Sequence, residues 1–231
     1  MAKEQNTHTL TKAEMHVAIR ERVDEITKEF TDGFKFLEKY PYSVTFFGSS
    51  VITEDSPYYK SAEALARKIV TELNYSVLSG GGPGIMQAAN KGAFEAGGSS
   101  LGLTIKIPDG QVTNKYVTDK IDLYYFFARK MCMSFSAEAF IFFPGGLGTL
   151  DEFFEMVTLI QTKKIVGVPL ICVGSDYWLS LKKFMEETLL KRGTITPSDL
   201  NLFTITDDLD EIISIIRKNP EREIYPFSSA S

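Results

Sequence analysis

The residues best suited to chemistry are Pro144-Gly145-Gly146-Leu147-Gly148-Thr149-Leu150-Asp151-Glu152, which begin where the apolar run Ala139 to Phe143 stops and end inside a helical pattern. A strand, a glycine turn and a helix follow one another there. Gly145, Gly146 and Gly148 let the backbone approach a ligand closely and take positive φ angles, and a helix opening at Thr149 presents unpaired N–H groups and the positive end of its dipole. Such an entrance binds phosphate. Glu152 then falls in the first helical turn beside the bound anion, where phosphate binding alone gives no reason for a negative charge, so it reads as chemistry. Asp151 and Glu152 could instead be ordinary N-terminal helix charges, a use worth about 0.3–1 kcal/mol. That accounts for one carboxylate, but not for glycines, Thr149 and an acid arriving together after a buried strand. Glu155, one turn on, reads as surface.

Two further turns follow buried strands. Ser79-Gly80-Gly81-Gly82-Pro83-Gly84 lacks the Lys-Ser or Lys-Thr pair of an ATP-binding P-loop and the later acid of the dinucleotide fingerprint, so ATP hydrolysis and hydride transfer lose support. Gly48-Ser49-Ser50 says less, since serines commonly cap turns; a ligand contact is expected at Ser49. Arg129-Lys130 follows Tyr124-Tyr125-Phe126-Phe127 and puts two cations at a strand-to-helix junction, where the dipole disfavours positive charge. Either a bound anion removes that conflict or the pair is simply solvated. The aromatic residues before it, and Met131, Cys132 and Met133 after it, read as core.

Those groups must be held by alternating strands and helices. Ile19, Val23, Ile26, Phe30, Phe34 and Leu37 recur at helical spacing after a frayed terminus at 1–10, as one amphipathic helix or a pair broken near Asp32-Gly33. Strands are expected at Val44 to Phe47, Tyr75 to Leu78, Ser100 to Ile107, Leu123 to Phe126, Ala139 to Phe143, Val168 to Val173 and Leu202 to Ile205, those at Leu123 to Phe126 and Ala139 to Phe143 being apolar on both faces. Helices are expected at Tyr58 to Leu73, from Ile85, at Ala128 to Ser136, through Glu152, at Tyr177 to Leu190, and after a cap at Asp207-Asp208. The small residues Ala88, Ala89, Gly92 and Ala93 let one helix lie close to the sheet. Pro108 to Asp119 is a long polar loop of functional character. The alternation implies an α/β, doubly wound parallel sheet of Rossmann-like type flanked by helices, with an N-terminal helical extension. The turns at Gly48, Gly80 and Gly145 then share the carboxyl edge of the sheet, where such folds bind ligands.

Composition narrows the chemistry. The chain has 231 residues, 44% of them hydrophobic and 12% aromatic, enough for one sizeable core. A net charge of -5 with scattered cations does not suit a duplex nucleic-acid binder, and no apolar run approaches the roughly 18 residues that span a bilayer. A cytoplasmic protein acting on a small ligand is expected. Cys132 and Cys172 lie in apolar segments without metal-binding spacing, and both histidines, His8 and His16, precede the first strand. Histidine-based nucleophiles and metal centres are therefore disfavoured, leaving carboxylates, Arg, Lys and backbone dipoles.

Pro144 to Glu152 matches a PGGxGTxxE pattern in every fixed position, Arg129-Lys130 stands at the matching spacing upstream, and Gly80 to Met86 matches a second glycine turn. In these features the sequence resembles the LONELY GUY family, cytokinin nucleoside 5′-monophosphate phosphoribohydrolases long labelled lysine decarboxylase-like. The likeness runs over about residues 43 to 195, and the N-terminal helices are similar to those of longer bacterial members. Glu138 stands where many members have Asp, and Cys132 where plant-type members have Glu, two departures that bear on base preference. The resemblance implies a hydrolase that cleaves the N-glycosidic bond of a cytokinin riboside monophosphate or AMP to free base and ribose 5-phosphate. It implies a catalytic pair of Glu152 and Arg129; a phosphate site of Gly145, Gly146, Gly148 and Thr149; and Ser49, Gly81 and Gly82 in the same pocket. Met86, Lys130 and Thr158 are further substrate contacts, and the loop around Asn114 to Val117 closes over the base. No metal or organic cofactor is implied, nor a nucleic-acid or membrane partner; a homodimer is. Residues 1–40 would be the helical extension, 41–217 a single nucleotide-binding catalytic domain, and 218–231 a tail. A non-catalytic nucleotide carrier would use the same glycine turns, since fold does not fix function, but has no use for Glu152. Lysine decarboxylation would need a pyridoxal phosphate Schiff-base lysine, for which no motif is present.

Overall fold

The computed structural model describes residues 11–106, 112–165 and 167–219. The stretch 1–10 with His8, the loop residues 107–111 and the tail from Pro220 lie outside the described residues. Among the described residues one sheet contains β1 (Ser43–Phe47), β2 (Ser76–Ser79), β3 (Ser100–Ile105), β4 (Asp119–Leu123), β5 (Ala137–Phe142), β6 (Leu170–Cys172) and β7 (Thr204–Ile205). Every pairing is parallel, in the order β4-β3-β2-β1-β5-β6-β7. The chain moves outward from β1 to β4, then returns to lay β5 against the free side of β1. The direction of winding therefore reverses between β1 and β5, and a crevice forms beyond their carboxyl ends.

The helices are α1 (Lys12–Leu37), α2 (Pro57–Lys68), α3 (Ile85–Glu95), α4 (Phe126–Ser136), α5 (Leu147–Gln161), α6 (Ser175–Phe184) and α7 (Leu209–Lys218). Strand alternation divides the core into two layers. Val44, Phe46, Ala139 and Ile141 pack with residues of α2, α3 and α7. Phe47, Phe140 and Phe142 pack with residues of α1, α4, α5 and α6. Local signals set the helix ends: Thr11 and Glu14 close a capping box on α1, Ser56 caps α2 with Pro57 at its first position, and Asp208 accepts from the N–H groups of Asp210 and Glu211. Asp207 caps another helix, accepting from the N–H of Gly174 and Ser175 at the start of α6. α2 and α6 each run on into a π-type turn, at Ile69–Leu73 and Met185–Leu190.

Four expectations change. α1 is one helix without a break at Gly33, because this glycine serves a helix crossing: it is buried, and a β-carbon there would stand 2.5 Å from Cys132 Sγ of α4. β4 is Asp119–Leu123 and not Leu123 to Phe126; as the sheet edge it alternates partly exposed and exposed residues before buried Leu123. The aromatic run after it begins α4 and is not core, with Tyr124, Phe126 and Phe127 at 60%, 58% and 48% exposure and Met131 at 45%. Gly92 of α3 serves contact with α2, since a β-carbon there would overlap the Glu63 carbonyl, while Ala88, Ala89 and Ala93 are buried in the layer that includes the sheet.

The α1–α4 crossing makes a prediction. Gly33→Ala should lower stability by about 1–3 kcal/mol. In a urea-denaturation double-mutant cycle with Cys132→Ala, the two losses should be clearly less than additive, because removing the sulfur makes room for the added methyl group.

Candidate active site

Three turns meet at the crevice, and one residue joins them. The Ser49 N–H donates to the Pro144 carbonyl at 3.0 Å, and the Ser49 carbonyl accepts the Ile85 N–H at 3.0 Å. The end of β1 is thus tied both to the turn after β5 and to the start of α3. Such close approach excludes side chains: at Gly84, with φ 70°, a β-carbon would overlap the Ser49 carbonyl oxygen. The Ser49 hydroxyl accepts the Val51 N–H at 3.2 Å.

The second turn is held from behind by buried polar side chains. The Gly81 N–H donates to Ser79 Oγ at 3.0 Å, and Ser79 Oγ donates to Asn90 Oδ1 at 2.6 Å. Asn114 donates its backbone N–H to the Gly81 carbonyl at 2.8 Å and its side-chain amide to the Gly82 carbonyl at 3.0 Å. The loop around Asn114 to Val117 is therefore pinned to this turn at Asn114. Asn90, a buried polar residue on the inward face of α3, was not singled out in the sequence; an asparagine among Ala88, Ala89 and Ala93 is the signal that marks it.

The third turn differs in detail from the expectation. α5 opens at Leu147 with Gly146 as its N-cap, so Thr149 is the third helical residue and Glu152 lies in the second turn. Gly145, Gly146 and Gly148 have no positive φ; they provide space. A β-carbon at Gly145 would overlap Thr149 Oγ1, whereas one at Gly146 or Gly148 meets nothing within 4 Å. The helix entrance, with its free N–H groups and dipole, faces that open space. The Tyr177 hydroxyl donates to the Gly145 carbonyl at 2.8 Å and holds the turn from α6, a role without a sequence signal.

Arg129 and Glu152 come together here. Arg129 Nη2 lies 3.7 Å from Glu152 Oε1, with side-chain exposures of 12% and 19%. The guanidinium crosses the second turn so closely that a β-carbon at Gly80 would stand 2.7 Å from Nη2 and 2.8 Å from Met86 Sδ. Arg129 Nε is buried without a hydrogen-bond partner. Burial pushes the Glu152 carboxyl up to about 7, against the lowering influence of Arg129 and Lys130. Burial also lowers the Arg129 pKa, opposed by Glu152.

The conflict between Arg129-Lys130 and the α4 dipole is resolved within the protein. Glu29 of α1, 6% exposed, accepts the N–H of Tyr124 on one carboxylate oxygen and that of Tyr125, at 3.0 Å, on the other. Sequence reading passed over Glu29, since a glutamate in a charged helix carries no mark of burial. Lys130 pairs with Asp151 at 2.6 Å and Glu155 at 2.9 Å, so Glu155 is a half-buried partner and not free surface. Thr158 is exposed on α5, its hydroxyl donating to the Phe154 carbonyl at 2.7 Å. Cys132 and Cys172 are buried free thiols whose pKa burial raises, that of Cys132 to about 11. A groove of about 630 Å³ flanks the third turn, lined by Tyr58, Pro144, Leu150, Tyr177 and Phe184 among others, and neither Arg129 nor Glu152 lines it. Among the described residues no three His, Cys, Asp or Glu side chains are grouped to hold a metal ion, and no helix is long and apolar enough to cross a membrane.

The family model described as "Possible lysine decarboxylase" matches residues 86–216. A cytokinin riboside 5′-monophosphate phosphoribohydrolase of Rhodococcoides fascians is 26% identical over 182 residues, 77% of this chain and 90% of that protein. The Arabidopsis thaliana enzyme of the same name, LOG2, is 32% identical over 167 residues, 70% of this chain and 76% of that protein. Among solved structures, a molybdenum cofactor binding protein from Rippkaea orientalis has a TM-score of 0.57 at 24% identity, covering 76% of this chain and 94% of that one. A molybdenum cofactor carrier protein from Chlamydomonas reinhardtii has a TM-score of 0.56 at 22% identity, covering 78% of this chain and 97% of that one. At these identities the structural likeness concerns the fold.

The buried carboxylate implies a pH-dependent penalty. The folded protein retains the Glu152 proton up to about pH 7, whereas the unfolded chain releases it near 4.5, so stability falls as pH rises between those values. Glu152→Gln, which mimics the protonated acid, should therefore match wild type near pH 4. Above pH 7.5 it should exceed wild type by about 3 kcal/mol in denaturant unfolding.

Proposed function

The chain belongs to the LONELY GUY family, and from that premise we propose that it hydrolyses the N-glycosidic bond of nucleoside 5′-monophosphates, a cytokinin riboside monophosphate or AMP, to the free base and ribose 5-phosphate. The observation that carries this reading is the Arg129–Glu152 pair, 3.7 Å apart, beside an open glycine-lined helix entrance. The entrance, from Gly145 to Thr149, receives the 5′-phosphate through backbone N–H groups and the dipole. Ser49, Gly81, Gly82 and Met86 belong to the turns that border it.

As the bond between C1′ and the base nitrogen breaks, its electron pair leaves with the base and positive charge develops on the sugar. Ionised Glu152 stabilises that charge and accepts a proton from the water whose oxygen bonds to C1′, and passing that proton on through solvent to the departing base nitrogen returns Glu152 to its ionised form. Arg129 keeps the acid ionisable in a buried site. Lys130 holds Asp151 and Glu155, and Thr158 turns its hydroxyl to its own helix; neither is assigned a substrate contact. Lysine decarboxylation fits poorly. A Schiff-base lysine needs a lowered pKa, but at Lys130 burial is outweighed by hydrogen bonds to Asp151 and Glu155, which hold its pKa above the ordinary value.

A second copy of the chain is proposed to cover the aromatic patch at the start of α4, where Tyr124 just before the helix and Phe126 and Phe127 within it are 60%, 58% and 48% exposed. Light scattering should report a dimer, and Phe127→Glu should shift it to monomer.

Purified protein incubated with a panel of nucleoside monophosphates should release base, resolved by chromatography. Turnover should rise with pH through a midpoint near 7, because the ionised form of Glu152 is the active one. Glu152→Gln should lower kcat by roughly 10³-fold with nucleotide binding retained. Tight nucleotide binding without base release from any member of the panel would favour a carrier over an enzyme.

A further inference from the structure

α1 lies outside the strand–helix alternation, yet it reaches the catalytic helix at four points. Gly33 of α1 meets Cys132 of α4, as described above, and two aromatic contacts flank the crossing: Phe30 with Phe127 at 6.3 Å and Phe34 with Phe135 edge-on at 5.0 Å. The fourth contact is polar. The Glu29 carboxylate lies against the N-terminus of α4 and accepts both the Tyr124 and the Tyr125 N–H. Apolar packing alone would hold a helix in place; it gives no reason to bury a carboxylate, which stays charged out of water only when hydrogen bonds and positive potential support it. Here two backbone donors and the positive end of the α4 dipole supply that support.

The path from Glu29 to Arg129 is short and covalent or hydrogen-bonded at each step. The Tyr125 N–H donates to Glu29 Oε2 at 3.0 Å, and the carbonyl of the same residue accepts the Arg129 N–H at 3.1 Å. The Arg129 guanidinium then crosses Gly80 and stands 3.7 Å from Glu152. We infer that Glu29 is a positioning residue for Arg129: its carboxylate fixes the first turn of α4, and through that turn the guanidinium facing Glu152. The N-terminal helix is accordingly part of the catalytic apparatus without touching substrate. The kinetic part of this inference rests on the phosphoribohydrolase reading; its electrostatic part does not.

The test uses the full chain carrying Glu29→Gln, which keeps size and one acceptor but sets an amide donor against a backbone N–H. If the guanidinium loses its position, kcat should fall about 10- to 100-fold while KM for the nucleotide stays within about twofold, since the phosphate site lies on α5. The groups facing Glu152 are Arg129 and Lys130 from α4 and Asp151 and Glu155 from its own helix. Withdrawal of Arg129 should therefore move the Glu152 titration upward by about half a unit or more. That titration is read directly from the carboxyl infrared band absent in Glu152→Gln, with no turnover required. Glu29→Asp, which keeps the charge but shortens its reach, should give smaller changes of the same sign, and it serves as the probe if Glu29→Gln does not fold. A folded variant with a lower melting temperature but an unmoved Glu152 titration and wild-type kcat would overturn the inference and leave Glu29 a purely structural anchor. Should wild type release no base while the Glu152 titration still moves in Glu29→Gln, the positioning role stands and the hydrolase reading falls.

Discussion

A carboxylate withdrawn from water becomes useful at neutral pH only if a cation is held beside it at a controlled distance. Nearer, a hydrogen-bonded salt bridge would depress its pKa and occupy its oxygens; farther, burial would keep it protonated. Arg129 and Glu152 stand at 3.7 Å, and burial outweighs the guanidinium enough to bring the acid to about 7. Maintaining that spacing requires α4 and α5 to be fixed relative to each other. One strand does this: α4 ends at Ser136, β5 runs from Ala137 to Phe142, and α5 opens at Leu147. β5 is hydrogen-bonded to β1 on one side and β6 on the other, so the two helices project from the stiffest part of the sheet.

The glycines follow from the same geometry. A parallel sheet delivers its turns to one edge, and at the reversal between β1 and β5 they are crowded against one another. Ser49 bonds to two neighbouring turns through its own peptide groups, and side chains at Gly80 or Gly84 would collide with Arg129 or Ser49. Where the third turn opens at Gly146 and Gly148 there is nothing to collide with, and that is where a ligand can approach backbone N–H groups.

Burying Glu152 and leaving Arg129 Nε unpartnered are both unfavourable for folding. The opposite side of α5 offsets them. Phe153, next to Glu152, packs on Phe142 at 5.5 Å and Trp178 at 4.9 Å, and the Trp178 indole N–H donates to the Val173 carbonyl at 3.1 Å. An aromatic cluster thus anchors the helix that carries the buried carboxylate, an arrangement expected where function draws on stability.

The fold class and the glycine turns were legible because each leaves a local trace, apolar runs of strand length with glycines after them, whereas the pairing of Arg129 with Glu152 came only through the family resemblance that the motif carries. Boundaries moved where edge and center strands differ, so Asp119–Leu123 was passed over for the more apolar residues that begin α4. Glu29 and Tyr177 left no trace, because a polar residue on a helix looks the same whether it meets water or a buried backbone group, whereas Asn90 is marked only by the alanines around it. Gly33 was misread for the same reason, since a glycine that ends a helix and one that admits another helix are indistinguishable in one dimension. Local sequence alone determined which groups are available for chemistry and the order in which strands and helices follow. Tertiary structure decided which charges face one another, how far they stand from water and what holds them there, because those depend on contacts between segments as distant as residues 29 and 125.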